Sequence, residues 1–177
     1  MTFTAVVTAH RQDPSRILGN LLYQTRKPDQ IIVFCSEVDG LPRLRELFPD
    51  AVFVEVEDRN DWGHEKRAMG LALAGSDAIG FFNADDTYKL GYVEKMMAEL
   101  EAGADVAYCS WNTIPRCSFA PGSSTSGNFI VRTDVARDAG YPDRHYEADG
   151  TFIDRIRGVT SLISRVDDLL YHHNVQR

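Results

Sequence analysis

Short apolar runs alternate along this chain with stretches in which apolar residues recur every three or four positions, and the pattern holds to about residue 110. Phe3 to Ala9 is a β-branched and aromatic run of strand length, which predicts a buried strand. Asp13-Pro14-Ser15 is a helix-start signal, and "RILGNLLYQT" after it has helical spacing. The pair then recurs. Ile31 to Cys35 reads as strand and "LPRLRELF" as a short helix. Ala51 to Val56 reads as strand and His64 to Ala74 as helix. "AIGFF" is a fourth strand, "GYVEKMMAELEAG" an amphipathic helix closed by Gly103, and "DVAYCSW" a fifth strand. This alternation predicts an α/β fold with a mostly parallel central sheet and helices on both faces. Ligands of such sheets bind outside the carboxyl ends of the strands.

The second half is less regular. "NFIVR" and "SLISRV" read as strands, "TDVARDAG" and "ADGTFIDRIRG" as helices, and "LLYHHNVQR" as a tail. Pro121 to Gly127, "PGSSTSG", is a flexible loop by composition. No repeat and no linker divides the chain, so residues 1–177 are read as a single domain.

Composition narrows the function classes. Nineteen basic and 26 acidic residues leave a net charge of -7, which argues against a dominant nucleic-acid surface. The three cysteines, Cys35, Cys109 and Cys117, have no CxxC spacing and are read as reduced thiols of a cytoplasmic protein. The first residues lack the basic region and apolar length of a signal peptide. No apolar run approaches the ~20 residues of a membrane span.

The chemistry concentrates where the fourth strand surfaces, at Asn83-Ala84-Asp85-Asp86-Thr87. Two readings are open: a cap on the next helix, or oxygen ligands for Mg²⁺ or Mn²⁺. Capping needs one side chain and leaves the second acid unexplained. Around this motif, "KRAMGLALAGSDAIGFFNADD" resembles the GT-A glycosyltransferases of family 2, with Arg67, Gly70, Ala74, Ile79, Phe81, Asp85 and Asp86 on the family pattern. "YVEKMMAELEAGADVAYCS" downstream and "TAHRQDPSRILGNLLYQTRKPDQIIVF" upstream extend the likeness over most of the chain.

The resemblance implies a GT-A fold, a nucleotide-sugar-binding half over residues 1–110 and an acceptor-side half over 111–177. It makes Asp85 the direct metal ligand, with Asp86 as a second ligand or a cap. Asn83 stands where the family has an acid; it can hydrogen-bond a ribose but adds no charge. Thr8, His10 and Arg11 match the family's first strand end, and Asp58, Arg59 and Asn60 follow the third. Arg67 matches an arginine near the base or phosphates. "CSEVDG" replaces the family's usual acidic turn, so Glu37 or Asp39 is either a substitute contact to the nucleotide or part of a solvated turn. Aligning Arg155 on the family's arginine places Asp149 on its general base, with Glu147 as backup; Asp149 as a helix cap is the other reading. His172 or His173 falls where some members bind metal, or in a polar tail.

The resulting expectation is an inverting, metal-dependent glycosyltransferase. It takes a nucleotide-diphosphate sugar, with a UDP-sugar favoured, and transfers to an unknown acceptor; a homodimer is compatible. A segment from Trp111 to Gly127 is the candidate cover for bound donor. Two alternatives stand beside it. One is a non-catalytic nucleotide-sugar or glycan-binding domain of the same fold. The other is a sugar nucleotidyltransferase, although "TAHRQDPSR" lacks the glycines of such a loop.

Overall fold

The first strand shows why the sheet is covered twice. In β1 (Phe3–His10), Phe3, Ala5, Val7 and Ala9 turn to one side and Val6 to the other, and all are buried. Strand side chains alternate, so a run that is apolar throughout needs a layer on each face. The computed structural model describes residues 1–59, 62–142 and 147–174. In these, β1 pairs in parallel with β2 (Gln30–Ser36) and β4 (Ala78–Asn83), and β2 with β3 (Ala51–Glu55). One face is covered by α1 (Ser15–Leu22), α2 (Leu41–Leu47) and α4 (Tyr92–Glu101). The other packs on α3 (His64–Leu73), α5 (Thr133–Ala139) and α6 (Ala148–Val159).

The expected α/β sheet flanked by helices is present, and its second half makes it a mixed one. β6 (Val106–Trp111) ends at the same edge as β1 and β4. The chain then stays at that edge, with no crossover helix, until β7 (Phe129–Arg132) runs back down between β4 and β6, antiparallel to both. A parallel return would need a crossover connection. β8 (Ile163–His172) is parallel to β6 and extends well past the predicted "SLISRV". Register shifts at Cys109, Ser110 and Trp111 accommodate the extra length. Its end pairs with β5 (Thr87–Tyr88), a strand of two residues that no sequence pattern announces. The sheet order is β3-β2-β1-β4-β7-β6-β8-β5.

Two local features position the site. A Cβ on Gly70 would lie 2.4 Å from Val6 Cγ1, so only glycine lets α3 settle this closely on β1. That approach sets Arg67, one turn earlier, above the ends of β1 and β4. The segment expected to be flexible, Pro121 to Gly127, is tied down instead. Ser124 and Ser126 are buried, Thr125 and Asn128 form a capping box, and Trp111 Nε1 donates to the Ser123 carbonyl at 3.0 Å. Small hydroxyl side chains that read as linker composition satisfy backbone and side-chain groups here. The three cysteines are free and buried, and among the described residues no helix is long and apolar enough to cross a membrane.

Candidate active site

The ends of β1, β4 and β8 and the starts of α3 and α6 enclose an open cleft of about 730 Å³. Of the residues singled out in the sequence, Thr8, His10, Asp58, Arg67, Asn83, Asp85, Asp149 and His173 line it. Arg11, Glu37 and Asp39 do not. Arg11 and Glu37 both adopt left-handed backbone conformations and pair with each other at 2.7 Å on the exposed surface. Asp39 is exposed, just before α2. Asn60 lies outside the described residues.

The floor is built on strand register. Thr8 and Asn83 are paired across β1 and β4 and share the face of Val6 and Phe81, which is the face α3 covers. Asn83 Oδ1 therefore accepts from Arg67 Nη2 at 2.7 Å and from Thr8 Oγ1 at 3.1 Å. Its Nδ2 donates to Asp86 Oδ2 at 2.9 Å. Arg67 also donates from Nη1 to the Trp62 carbonyl at 3.1 Å. Burial works against its charge, but Tyr141 and Asp149 outweigh it and raise its pKa.

Asp86 caps no helix, since α4 begins only at Tyr92 behind Gly91. It is fully buried beneath the floor. Its Oδ2 also accepts from Tyr171 at 2.8 Å, while Oδ1 accepts from the Asn174 amide at 3.2 Å and meets His173 Nδ1 at 3.0 Å. Both oxygens are thus engaged twice. Asp85 is the acid that reaches the cleft. Arg16 and Asn174 hold its backbone carbonyl. Burial, and then the Asp86 charge, raise its carboxyl pKa.

The opposite wall carries Asp149. It does not cap α6 either. Oδ1 accepts from Tyr141 at 2.6 Å and Oδ2 from the Ser126 hydroxyl at 3.0 Å and amide at 3.3 Å. His64 Nδ1 is 3.6 Å from Oδ1. Burial pushes this carboxyl up, but the Arg67 charge, the Tyr141 bond and His64 outweigh it and hold it below the usual range. The side chain keeps 28% of its surface exposed. Glu147 is exposed at the start of the helix.

Sequence reasoning missed Gln12, Trp62, His64, Lys66 and Asn174 in the cleft, and Tyr141 and Ser126 behind Asp149. In the sequence His64 marked only the start of a predicted helix, and Lys66 carried no signal beyond its charge. Lys66 is buried and donates to Ser36 Oγ at 2.6 Å.

Among the described residues no three His, Cys, Asp or Glu side chains gather as a ready metal cage. The donor set still fits a cation that draws most of its ligands from a bound diphosphate. Asp85 offers a carboxylate. His173 lines the cleft with Nδ1 committed to Asp86, which leaves Nε2 and matches the carboxylate–histidine pairs that orient metal ligands.

The profile described as "Glycosyl transferase family 2" matches residues 15–155. An uncharacterized glycosyltransferase of Bacillus subtilis, YwdF, is 25% identical over 104 residues, 57% of this chain and 39% of that protein. S. aureus TarS superposes with a TM-score of 0.79 at 17% identity, over 99% of this chain and 37% of the TarS chain. A TarS fragment crystallised with UDP-GlcNAc gives 0.72 at 16% identity, over 100% of this chain and 59% of the fragment. The glucosyl-3-phosphoglycerate synthase of Mycobacterium tuberculosis, crystallised with Mn²⁺, UDP and glucosyl-3-phosphoglycerate, gives 0.74 at 14% identity, over 99% of this chain and 73% of that one. These likenesses speak for the fold. The chain spans well under half the length of YwdF and of TarS.

Proposed function

The chain belongs to glycosyl transferase family 2, and on that premise we propose that it moves a sugar from a nucleotide-diphosphate sugar to an acceptor hydroxyl, with inversion. The observation that carries this is the pairing, across one cleft, of the Asp85 floor with the Asp149 wall. His10, His64, Lys66 and Arg67 line the same cleft and suit an anionic diphosphate. A UDP-sugar is the favoured donor, in keeping with the UDP and UDP-GlcNAc bound by the structural neighbours.

Asp85 and His173 Nε2 would hold a divalent cation, Mn²⁺ or Mg²⁺. When bound, it supplies Lewis-acid stabilisation of the charge on the leaving diphosphate. The protein's own groups do the rest. Arg67 and Thr8 keep Asn83 in place beside Asp85. Asp149, held deprotonated by its neighbours, accepts the acceptor's proton as its oxygen attacks the anomeric carbon. Ser126, from the tied-down segment, and Tyr141 orient that carboxylate.

The test is calorimetric titration with UDP, GDP, TDP and CDP, each with Mn²⁺ and with EDTA. The expected result is metal-dependent binding of one nucleotide, lost in Asp85→Ala, together with turnover of the matching nucleotide-sugar. Binding without turnover in any acceptor screen, unchanged in Asp149→Ala, makes the chain a binding domain. No binding to any nucleotide by the folded protein removes the transferase reading.

A further inference from the structure

Asn83 departs from the family's acid, and the structure shows what the amide does. One face of it accepts from a buried guanidinium and a hydroxyl; the other donates to a buried carboxylate. An amide can accept and donate at once, whereas an ionised carboxylate only accepts. A carboxylate at this position would still suit Arg67 but would set its second oxygen against Asp86 Oδ2, where Nδ2 now lies at 2.9 Å. Like charges that close are strongly unfavourable. Alanine would strand one donor of Arg67 and one acceptor of Asp86.

The amide also limits what the floor presents. Asp86 is inaccessible, with four hydrogen-bond contacts on its two oxygens. Asn83 Oδ1 already has two donors. Among the described residues, the acid and imidazole groups left open on the floor are the Asp85 carboxylate and the remaining nitrogen of His173. Arg67 stands beside them with a positive charge. One carboxylate and one imidazole beside a buried cation make a poor site for a divalent ion alone. They become a good one when a diphosphate supplies further oxygens and two negative charges.

We propose that Asn83 is a positioning residue that ties Arg67 to Asp86 and withholds a second carboxylate from the floor beside Asp85, so that cation and nucleoside diphosphate bind as a coupled pair. This deepens the glycosyltransferase reading and rests on it. Because linkage is reciprocal, each ligand tightens the other by one common factor, of order 5–150-fold for a typical coupling.

The experiment is a binding cycle on the full chain. Mn²⁺ is titrated with and without UDP, following loss of the free-ion electron paramagnetic resonance signal. UDP is titrated calorimetrically with and without Mn²⁺. The cycle is repeated for Asn83→Asp and Asn83→Ala. Wild type is expected to show the coupling above. Asn83→Asp is expected to bind Mn²⁺ alone about tenfold more tightly, and so to couple less. Asn83→Ala is expected to lose UDP affinity even without Mn²⁺, because Arg67 loses its tie to the floor while keeping its bond to the α3 side. If the alanine variant does not fold, the aspartate variant carries the test.

Mn²⁺ binding to wild type that ignores UDP, with UDP bound, overturns the inference and leaves the transferase reading standing. A wild-type coupling factor retained in Asn83→Asp overturns the role given to Asn83. Failure of wild type to bind UDP with Mn²⁺ present removes the donor reading, and the inference with it.

Discussion

Asp86 and Asp149 sit on opposite sides of the same cleft and have opposite surroundings. Asp86 is fully buried, and each of its oxygens meets two polar partners. Asp149 receives three hydrogen bonds, from Tyr141 and Ser126, and keeps 28% of its side chain open. A saturated buried carboxylate is a structural tie, because any new ligand must displace an existing bond. A charged carboxylate with an open face can take a proton from something outside. The residue type is the same; the number of donors and the access decide the work.

The comparison breaks most clearly at Asp149. Asp149→Asn is expected to lower kcat by about 10²–10⁴-fold, the usual worth of a general base. Nucleotide binding should stay near wild type, and steady-state kinetics with the cognate nucleotide-sugar would read both. The same variant tests the pH dependence. Because its folded pKa is lowered, the stability Asp149 contributes is complete above the unfolded carboxylate value of about 3.9. It is lost as pH falls through the still lower folded value. The gap in urea midpoint between wild type and Asp149→Asn should therefore close at the acid end and persist at neutral pH.

At Asp86 the effect should fall on folding. Asp86→Ala strands Tyr171, His173, Asn83 and the Asn174 amide together and is expected to cost about 3–5 kcal/mol. Thermal melting would show it, and a variant with wild-type stability but no activity would erase the distinction from Asp149. Gly70→Ala is expected to cost about 1–3 kcal/mol by overpacking against Val6. It should also weaken UDP binding, since Arg67 borders both networks; unchanged binding would mean that Arg67 does not join them. The smallest effect belongs outside the cleft. Glu37→Ala removes only an exposed pair with Arg11 and should leave melting and nucleotide affinity within error. A clear loss of affinity would bring that corner back into the site.

Legibility followed sequence distance. β1 to β4 and the helices between them announced themselves by periodicity, since each period is written within about ten residues. β7 gave a strand signal, but nothing local sets its direction; the long edge loop before it does. β5 is too short for any pattern and exists because β8 arrives beside it. The acids at 85 and 86 stood out for their placement at a strand end, yet their division of labour did not. It depends on Tyr171 and His173, 85 and 87 residues away.

The sequence by itself determined the α/β layering, the family, the edge of the sheet where the cleft opens and about half of the cleft residues, because strand and helix periods and motif spacing are local properties. Only the tertiary structure decided that Asp86 is closed while Asp85 and Asp149 are open, that Arg11, Glu37 and Asp39 stand aside, and that the Asn83 amide bridges Arg67 and Asp86. Those outcomes depend on which distant donor reaches which oxygen, and on how deeply each group is withdrawn from water. Both are set by packing rather than by any local stretch of chain.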